Sequence, residues 1–387
     1  MSDYRLLLAT RCLRAFGFGF SALLIGVHLE RRGLKPGEIG LVLTIGLAAA
    51  SLSGLLFAAA AARVGRRAVL AVAGVLMALT GLDLALATSP GLLLLAGITG
   101  MLGAASVDLG PFASVEQAVL AESVDARGRN RAFARYSLTG GLAAAAGGLF
   151  GTLGGDLARS EALFLLYALL GLLTAVIPLL LSAAVETHRP AARAFGNLRP
   201  LAGLAALFAV DALGGGLVAT AVIAYWLHVR FGAGTDVLGP AFAAIALLQA
   251  ISYEVAGRLA DRFGLVNTMV FTHLPSNLLL LLVPFSPTFQ VAIALLLVRF
   301  ATSQMDVPAR QAYVVSIVPP AERAGAVAAT GALRGVAQAL GPLVAGLAIQ
   351  VAAFGLPFFL GGGLKIVYDL ALFTRYRSRP AEHETHA

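Results

Sequence analysis

Charge is what this chain has least of. Only 12% of its 387 residues are Asp, Glu, Lys or Arg, about half the share with which a soluble domain covers its surface. An ordinary soluble protein is thereby excluded, because most of the surface must meet something other than water. With 59% hydrophobic residues and a mean hydropathy of +0.86, that something is lipid. Cysteine is nearly absent. Cys12 stands alone, so no disulfide framework and no cysteine metal site can be built. The histidines fall nowhere in metal-ligand spacing, and no metal or cofactor is expected. The chain has no G-x4-G-K-[ST] loop, which excludes an ATP-driven pump acting alone.

A formal net charge of +8 would suit a nucleic-acid partner if it formed a patch. It is instead spread in short clusters between apolar runs, the pattern that encodes membrane topology, and no nucleic acid is expected. The N-terminal stretch carries Arg11 and Arg14 inside an apolar run and has no small-x-small site close behind. It reads as a first span and not as a removed signal peptide.

A hydrocarbon core of about 30 Å takes roughly 20 helical residues to cross. Cutting the chain at its charge and turn clusters predicts twelve spans: 5–29, 37–62, 68–88, 91–121, 131–155, 161–184, 199–230, 237–259, 267–286, 288–318, 324–352 and 357–376. The connections alternate in basic content. Arg63, Arg66 and Arg67, then Arg127, Arg129 and Arg131, Arg189 and Arg193, Arg258 and Arg262, and finally Arg375, Arg377 and Arg379 all fall on one side. Arg31, Arg32, Lys35, Arg159 and Arg230 fall on the other, and they are fewer. The positive-inside rule places both termini and the central loop in the cytoplasm, and the expected location is the inner (plasma) membrane.

The two halves repeat. Arg14-Ala-Phe-Gly17-Phe-Gly19 in span 1 corresponds to Asp211-Ala-Leu-Gly214-Gly-Gly216 in span 7. Glu116-Gln117-Ala118 in span 4 corresponds to Arg310-Gln311-Ala312 in span 10. Gly147-Gly148 matches Gly341-Pro342, and Arg63-Val-Gly65 matches Arg262-Phe-Gly264, all at nearly constant offset. The polar stretch 184–200 lies between the halves. The expected organisation is a six-helix bundle over 1–184, a cytoplasmic linker over 185–198, a second six-helix bundle over 199–376 and a tail over 377–387. Parallel six-helix repeats are an architecture of secondary transporters, with the solute site between the halves near mid-membrane.

The residues themselves then carry a resemblance. Gly257-Arg258-Leu-Ala-Asp261-Arg262-Phe-Gly264 resembles the G-x-x-x-D-R/K-x-G loop of the major facilitator superfamily, and it falls at the family's position between the second and third helices of a repeat. Gly335-x5-Gly341-Pro342-x3-Gly346 in span 11 is similar to the antiporter motif of drug–proton exchangers in that superfamily. In the first repeat the corresponding loop positions are Ala58 and Ala62, and the span 4 arginine of many proton antiporters falls near Ala96. The resemblance implies an all-α membrane fold of twelve helices in two pseudo-symmetric bundles, moving a small solute by alternating access.

Intramembrane charge marks cavities and pathways. Arg14 and Asp211, at matched depth on spans 1 and 7, are expected to form a pair between the halves that exists in one conformation and breaks in the other. Glu116 and Arg310 repeat this pattern nearer the cytoplasmic ends of spans 4 and 10 and are the candidate gate pair. Asp108, Asp211 and Asp306 are the deep carboxylates that can load and release protons. They are left unranked, and Asp83, Glu254 and Asp369 are weaker candidates. Asp261 and its neighbours read as a cytoplasmic latch. Gly147, Gly148, Gly341, Pro342 and Gly346 read as close helix packing. Tyr136, Tyr225, Trp226, Gln249, His273 and Asn277 are candidate solute contacts, with interfacial anchoring the alternative for Tyr225 and Trp226. The first functional reading is proton-coupled efflux of small amphipathic organic compounds by a monomer. Its alternative is proton-coupled transport of a small anionic metabolite held by Arg14, Arg310 and Arg334. A membrane-embedded enzyme is the competing class, but the charges are scattered over both repeats, with no polar constellation gathered at one interface.

Overall fold

A computed structural model describes residues 3–104, 110–122, 129–186, 201–316, 318 and 323–377. The described chain is helical with no strand. Its first half contains α1 (Asp3–Arg31), α2 (Pro36–Val64), α3 (Arg66–Leu86), α4 (Pro90–Ile98), α5 (Pro111–Glu122), α6 (Arg129–Phe150) and α7 (Leu157–Val176). The second contains α8 (Ala202–Leu217), α9 (Thr220–Phe231), α10 (Thr235–Phe263), α11 (Leu265–Leu282), α12 (Phe289–Thr302), α13 (Asp306–Ser316), α14 (Arg323–Ala339), α15 (Gly341–Gln350) and α16 (Leu356–Tyr376). Nine helical segments among the described residues are long and apolar enough to cross a membrane.

Local chemistry sets the punctuation. Proline opens α2, α4 and α5, where its missing N–H costs no helical hydrogen bond. Asp156 caps α7 by accepting from the Arg159 N–H at 2.8 Å. Gly65 and Gly264, at φ 96° and 84°, turn α2 into α3 and α10 into α11 with no other linking residue. A side chain is strained at such angles, and glycine is not.

Four expected spans are broken in two. The stretch 91–121 holds α4 and α5, 199–230 holds α8 and α9, 288–318 holds α12 and α13, and 324–352 holds α14 and α15. A break inside a bilayer is tolerated where the freed backbone groups find partners within the protein. At the α8–α9 break the Ala221 N–H donates to the Ala104 carbonyl at 3.2 Å. At the start of α15 the Leu343 N–H donates to the Thr44 hydroxyl at 3.0 Å.

The exterior is apolar and the interior holds charge. Leu56, Leu180, Phe271, Val298 and Val367 are among many large hydrophobic side chains left exposed, whereas Arg11, Arg14, Glu116, Asp211 and Asp369 are buried. Water would not tolerate that arrangement, and a bilayer favours it. The molecule is a multi-pass membrane protein. Trp226 and Tyr225 are not interfacial anchors: both are buried, and the Trp226 indole N–H donates to the Phe354 carbonyl at 2.9 Å.

The halves meet along α2 with α14 and α15, α6 with α10, and α1 with α9. The tightest contacts lie at the end opposite the arginine-rich turns. Gly40 packs on Gly346 and the backbone of Pro342, and the Gly37 N–H donates to Gln350 at 3.1 Å. Gly239 packs on Gly148 and Thr152, and Thr235 donates to the Thr152 carbonyl at 3.2 Å. Toward the arginine-rich end the seam loosens. Eight residues of α2 are buried between Gly37 and Ala50, and none from Ser51 to Val64.

A Cβ on Gly40 would lie 2.5 Å from the Pro342 carbonyl oxygen. Gly40→Leu is therefore expected to pry α2 from α15 and open the sealed end. Spin labels at the exposed positions Lys35 and Asp236, on a Cys12→Ser background, should report a longer mean distance; an unchanged distribution would show that this contact does not hold the seal.

Candidate functional site

Two buried charge clusters lie inside the helix bundles, one in each half. In the first, Arg14 of α1 grips Glu116 of α5 with two parallel bonds of 2.8 and 2.9 Å. The Thr10 hydroxyl donates to the same carboxylate at 3.0 Å, and the Tyr136 hydroxyl of α6 donates to its other oxygen. Phe112 lies 4.4 Å beneath the Arg14 guanidinium, and Arg11 sits 4.5 Å over the Tyr136 ring. Both members of the ion pair are about 1% exposed. Bidentate geometry with the remaining lone pairs occupied is what a buried pair needs to offset its desolvation.

The second cluster is larger. Asp211 of α8 accepts from Lys365 of α16 at 2.7 Å and from Arg334 of α14 at 2.9 Å. Arg310 of α13 is 3.7 Å away and pairs with Asp306, one turn earlier on its own helix. His273 of α11 lies 3.8 Å from Asp211 through Nε2 and hydrogen bonds Asp369 of α16 through Nδ1 at 2.8 Å. Asn277 donates to the other oxygen of Asp369 at 2.8 Å. The Phe208 ring lies beneath both Arg310 and Arg334. Arg299 of α12 is buried against the Phe300 ring at 4.6 Å.

The expected pairings are not made in this conformation. Arg14 does not meet Asp211, nor Glu116 Arg310; each finds its partner inside its own half. The reason is rotational. At about 100° of turn per helical residue, matched positions in two repeats present to equivalent neighbours within their own bundles, not to one another. Asp108 lies outside the described residues, as do the side chains of Gly257 and Asp261. Of the loop motif, Arg258 and Arg262 are exposed at the end of α10, and Gly264 forms the turn. In the packing motif, Gly147 presses on the Phe16 backbone within the first half and Gly341 on Gly216 and Leu217 within the second. Gly148 and Gly346 touch the opposite half, and Pro342 sits in the first turn of α15. Lys365 and Arg299 went unread in the sequence. The signal was there, since each is a cation in the middle of an apolar span.

The chain matches the Major Facilitator Superfamily twice, over residues 7–209 and 204–387. It belongs to that superfamily. An uncharacterized membrane protein of Saccharomyces cerevisiae is 27% identical over 416 aligned positions, covering 96% of this chain and 93% of the yeast protein. The inward-open xylose transporter of E. coli superposes with a TM-score of 0.75 at 15% identity, over 97% of this chain and 98% of that one. A human organic anion transporter does so with 0.66 at 18% identity, over 96% and 100%. These structural likenesses establish the fold. Family and neighbours are transporters, not enzymes, and this facilitator-superfamily chain is a membrane transporter.

At the sealed end of the transporter, α1 and α9 are tied by charge. Glu30 lies 3.2 Å from His228 Nε2 and accepts from the Tyr225 hydroxyl at 3.4 Å. His228 Nδ1 faces the Ala233 carbonyl at 2.8 Å, so it carries the ring proton of the neutral form. Nε2 can then donate to Glu30 only as the imidazolium.

Glu116→Ala would strand Arg14 without its carboxylate, a loss of about 3–5 kcal/mol. Thermal unfolding of the purified protein in detergent should fall sharply for this variant and recover in Arg14→Met/Glu116→Leu. Purely additive losses would show that the two residues do not act as a pair.

Proposed function

We propose that this facilitator-superfamily member is a secondary active transporter, proton-coupled and working by alternating access, whose solute is a small anion. The halves 1–184 and 199–376 are the moving bodies, joined by the linker 185–198. This division is supported by the two family matches and by fully buried ion-pair networks that stay within each half, the part-exposed Glu30–His228 pair joining the halves at the sealed end. The arginine-rich end faces the cytoplasm together with both termini, by the positive-inside rule, in a plasma (inner) membrane. The loosened seam at that end then corresponds to an inward-facing state. The working unit is a monomer.

The observation that carries the anionic reading is the buried charge balance. Arg11, Arg14, Arg299, Arg310 and Lys365 are buried, against the carboxylates Glu116, Asp211, Asp306 and Asp369 among the described residues. Arg334, partly exposed, adds a further cation. A cation excess in low dielectric is costly alone and favourable once an anion enters. Efflux of amphipathic compounds keeps its support from the Gly335–Gly346 resemblance, but such solutes suit a largely apolar cavity, and this interior is densely charged. Solved neighbours have names that specify xylose, nucleosides and organic anions, and so select no solute.

Asp211 is the coupling carboxylate in this reading, because it is held by cations from two other helices at once. Protonation would release Lys365 and Arg334 to solute and loosen α8 from α14 and α16, so that proton and solute interact differently with the two states. Asp108 and Asp306 are the alternative proton carriers.

Asp211→Asn is expected to abolish solute flux driven by a proton gradient in proteoliposomes while leaving gradient-free exchange and the folded protein intact. A radiolabelled set of succinate, phosphate and a lipophilic cation distinguishes the two solute classes. Undiminished proton-driven flux in the variant would remove Asp211 from the coupling step; flux of the lipophilic cation alone would return the efflux reading.

A further inference from the structure

Arg299 is the residue of the second cluster that the ion-pair network does not satisfy. It is 5% exposed, yet its Nε and Nη1 have no hydrogen-bond partner. It sits ten residues into α12, roughly 15 Å from the start of that helix and so near the middle of a bilayer core of about 30 Å. Its backbone is fixed from two sides. The Ser276 hydroxyl donates to its carbonyl at 3.3 Å, and the Ser303 N–H donates to the same carbonyl at 2.9 Å. The guanidinium stacks on Phe300, which orients the plane without supplying an acceptor. Asp211, whose charge acts on it, is already bonded to Lys365 and Arg334. Two further polar atoms, on residues that neighbour His273, are orphaned: the Asn277 Oδ1 and the Tyr368 hydroxyl. Asn277 donates to Asp369 through its amide nitrogen, and its Oδ1 offers an acceptor. Tyr368 stands edge-on to His273, with centroids 6.0 Å apart, and its hydroxyl can donate or accept.

Buried donors without partners are destabilising, and a buried guanidinium without them strongly so. The arrangement persists at mid-membrane with its backbone pinned, as expected of groups held ready for a ligand.

We infer that Arg299 binds the carboxylate or phosphate group of the transported solute, with the Asn277 Oδ1 and the Tyr368 hydroxyl available to donor groups on the same molecule. The inference rests on the anionic-solute reading above and names the residue that recognises the anion. The planar guanidinium meets either oxyanion with two parallel bonds, which an ammonium cannot do. The class of ligand is thus a small oxyanion that also carries hydroxyl or amino donors. Such a molecule satisfies orphaned donors and orphaned acceptor together, whereas chloride accepts from the guanidinium as a single point charge and has no donor for the Asn277 Oδ1.

The test uses the full-length protein in detergent, with thermal unfolding read against added sodium succinate, sodium phosphate or sodium chloride at matched ionic strength. Succinate or phosphate should raise the wild-type midpoint beyond chloride. Arg299→Met should remove that response and raise the midpoint measured without anion, because an unpaired buried charge has been replaced by an apolar side chain of similar length. Arg299→Lys should retain the response with apparent affinity weakened about tenfold or more. An oxyanion response of wild-type size in Arg299→Met would overturn the role of Arg299 while leaving the anionic reading standing. No oxyanion response in the wild type would overturn both. A midpoint that falls in Arg299→Met without anion would show a structural cation and overturn the inference. A parallel series in phosphatidylglycerol nanodiscs separates a lipid headgroup from a soluble anion: stabilisation by the lipid that succinate and phosphate fail to reproduce would also overturn it.

Discussion

Charge inside hydrocarbon must be neutralised by protein, and this requirement organises the molecule. Asp211 draws Lys365 and Arg334 from two other helices onto one carboxylate, and Glu116 does the same for groups on α1 and α6. Each network fixes how the helices of one half are rotated about their axes. Because the fully buried networks close within a half, the surface between the halves is made by glycines, threonines and backbone contacts such as Gly40 on Gly346, together with the part-exposed Glu30–His228 pair. Such a seam can part without stranding a fully buried charge. A buried pair spanning the halves would have opposed that motion by several kcal/mol each time it broke.

The two halves are not equal in what they leave unfinished. The Glu116 cluster occupies both carboxylate oxygens with four donated bonds from three side chains. It is a closed unit, suited to bracing α1 against α5 and α6. The second cluster threads Asp211, His273, Asp369, Asp306 and three cations across α8, α11, α13, α14 and α16, and beside it lie the orphaned atoms of Arg299, Asn277 and Tyr368. Broken spans accompany it. The joints after α8 and α12 lie close to Asp211 and Arg299 in sequence, where interrupted backbone can shift without unwinding a whole helix. Rigid support on one side and an incompletely satisfied network on the other is a physical arrangement for a ligand that completes the second side.

Much of this was legible in the residues. Hydropathy located the helices, and the repeat offset matched the Gly65 and Gly264 turns to each other, because both turns require glycine for the same backbone reason. The charged positions Arg14, Glu116, Asp211, Asp306 and Arg310 all lie in the buried clusters. His273, Asn277 and Tyr136, singled out as polar groups in apolar spans, lie there as well. Their pairing was not legible. Equal depth on matched helices suggested partners across the halves, but depth is one coordinate and a contact needs three. Lys365 and Arg299 were not legible from the repeat, because neither has a charged counterpart in the first half.

By itself the sequence determined that this chain crosses a membrane many times, that its two halves are related and which side chains carry charge into the bilayer. Those properties follow from composition summed along the chain, since the cost of placing a residue in lipid is largely its own. Tertiary structure alone decided which charge meets which. That outcome depends on helix rotation, on the breaks in α8–α9 and α12–α13 that reset it, and on the low dielectric that makes every unpaired group seek the nearest partner its backbone allows.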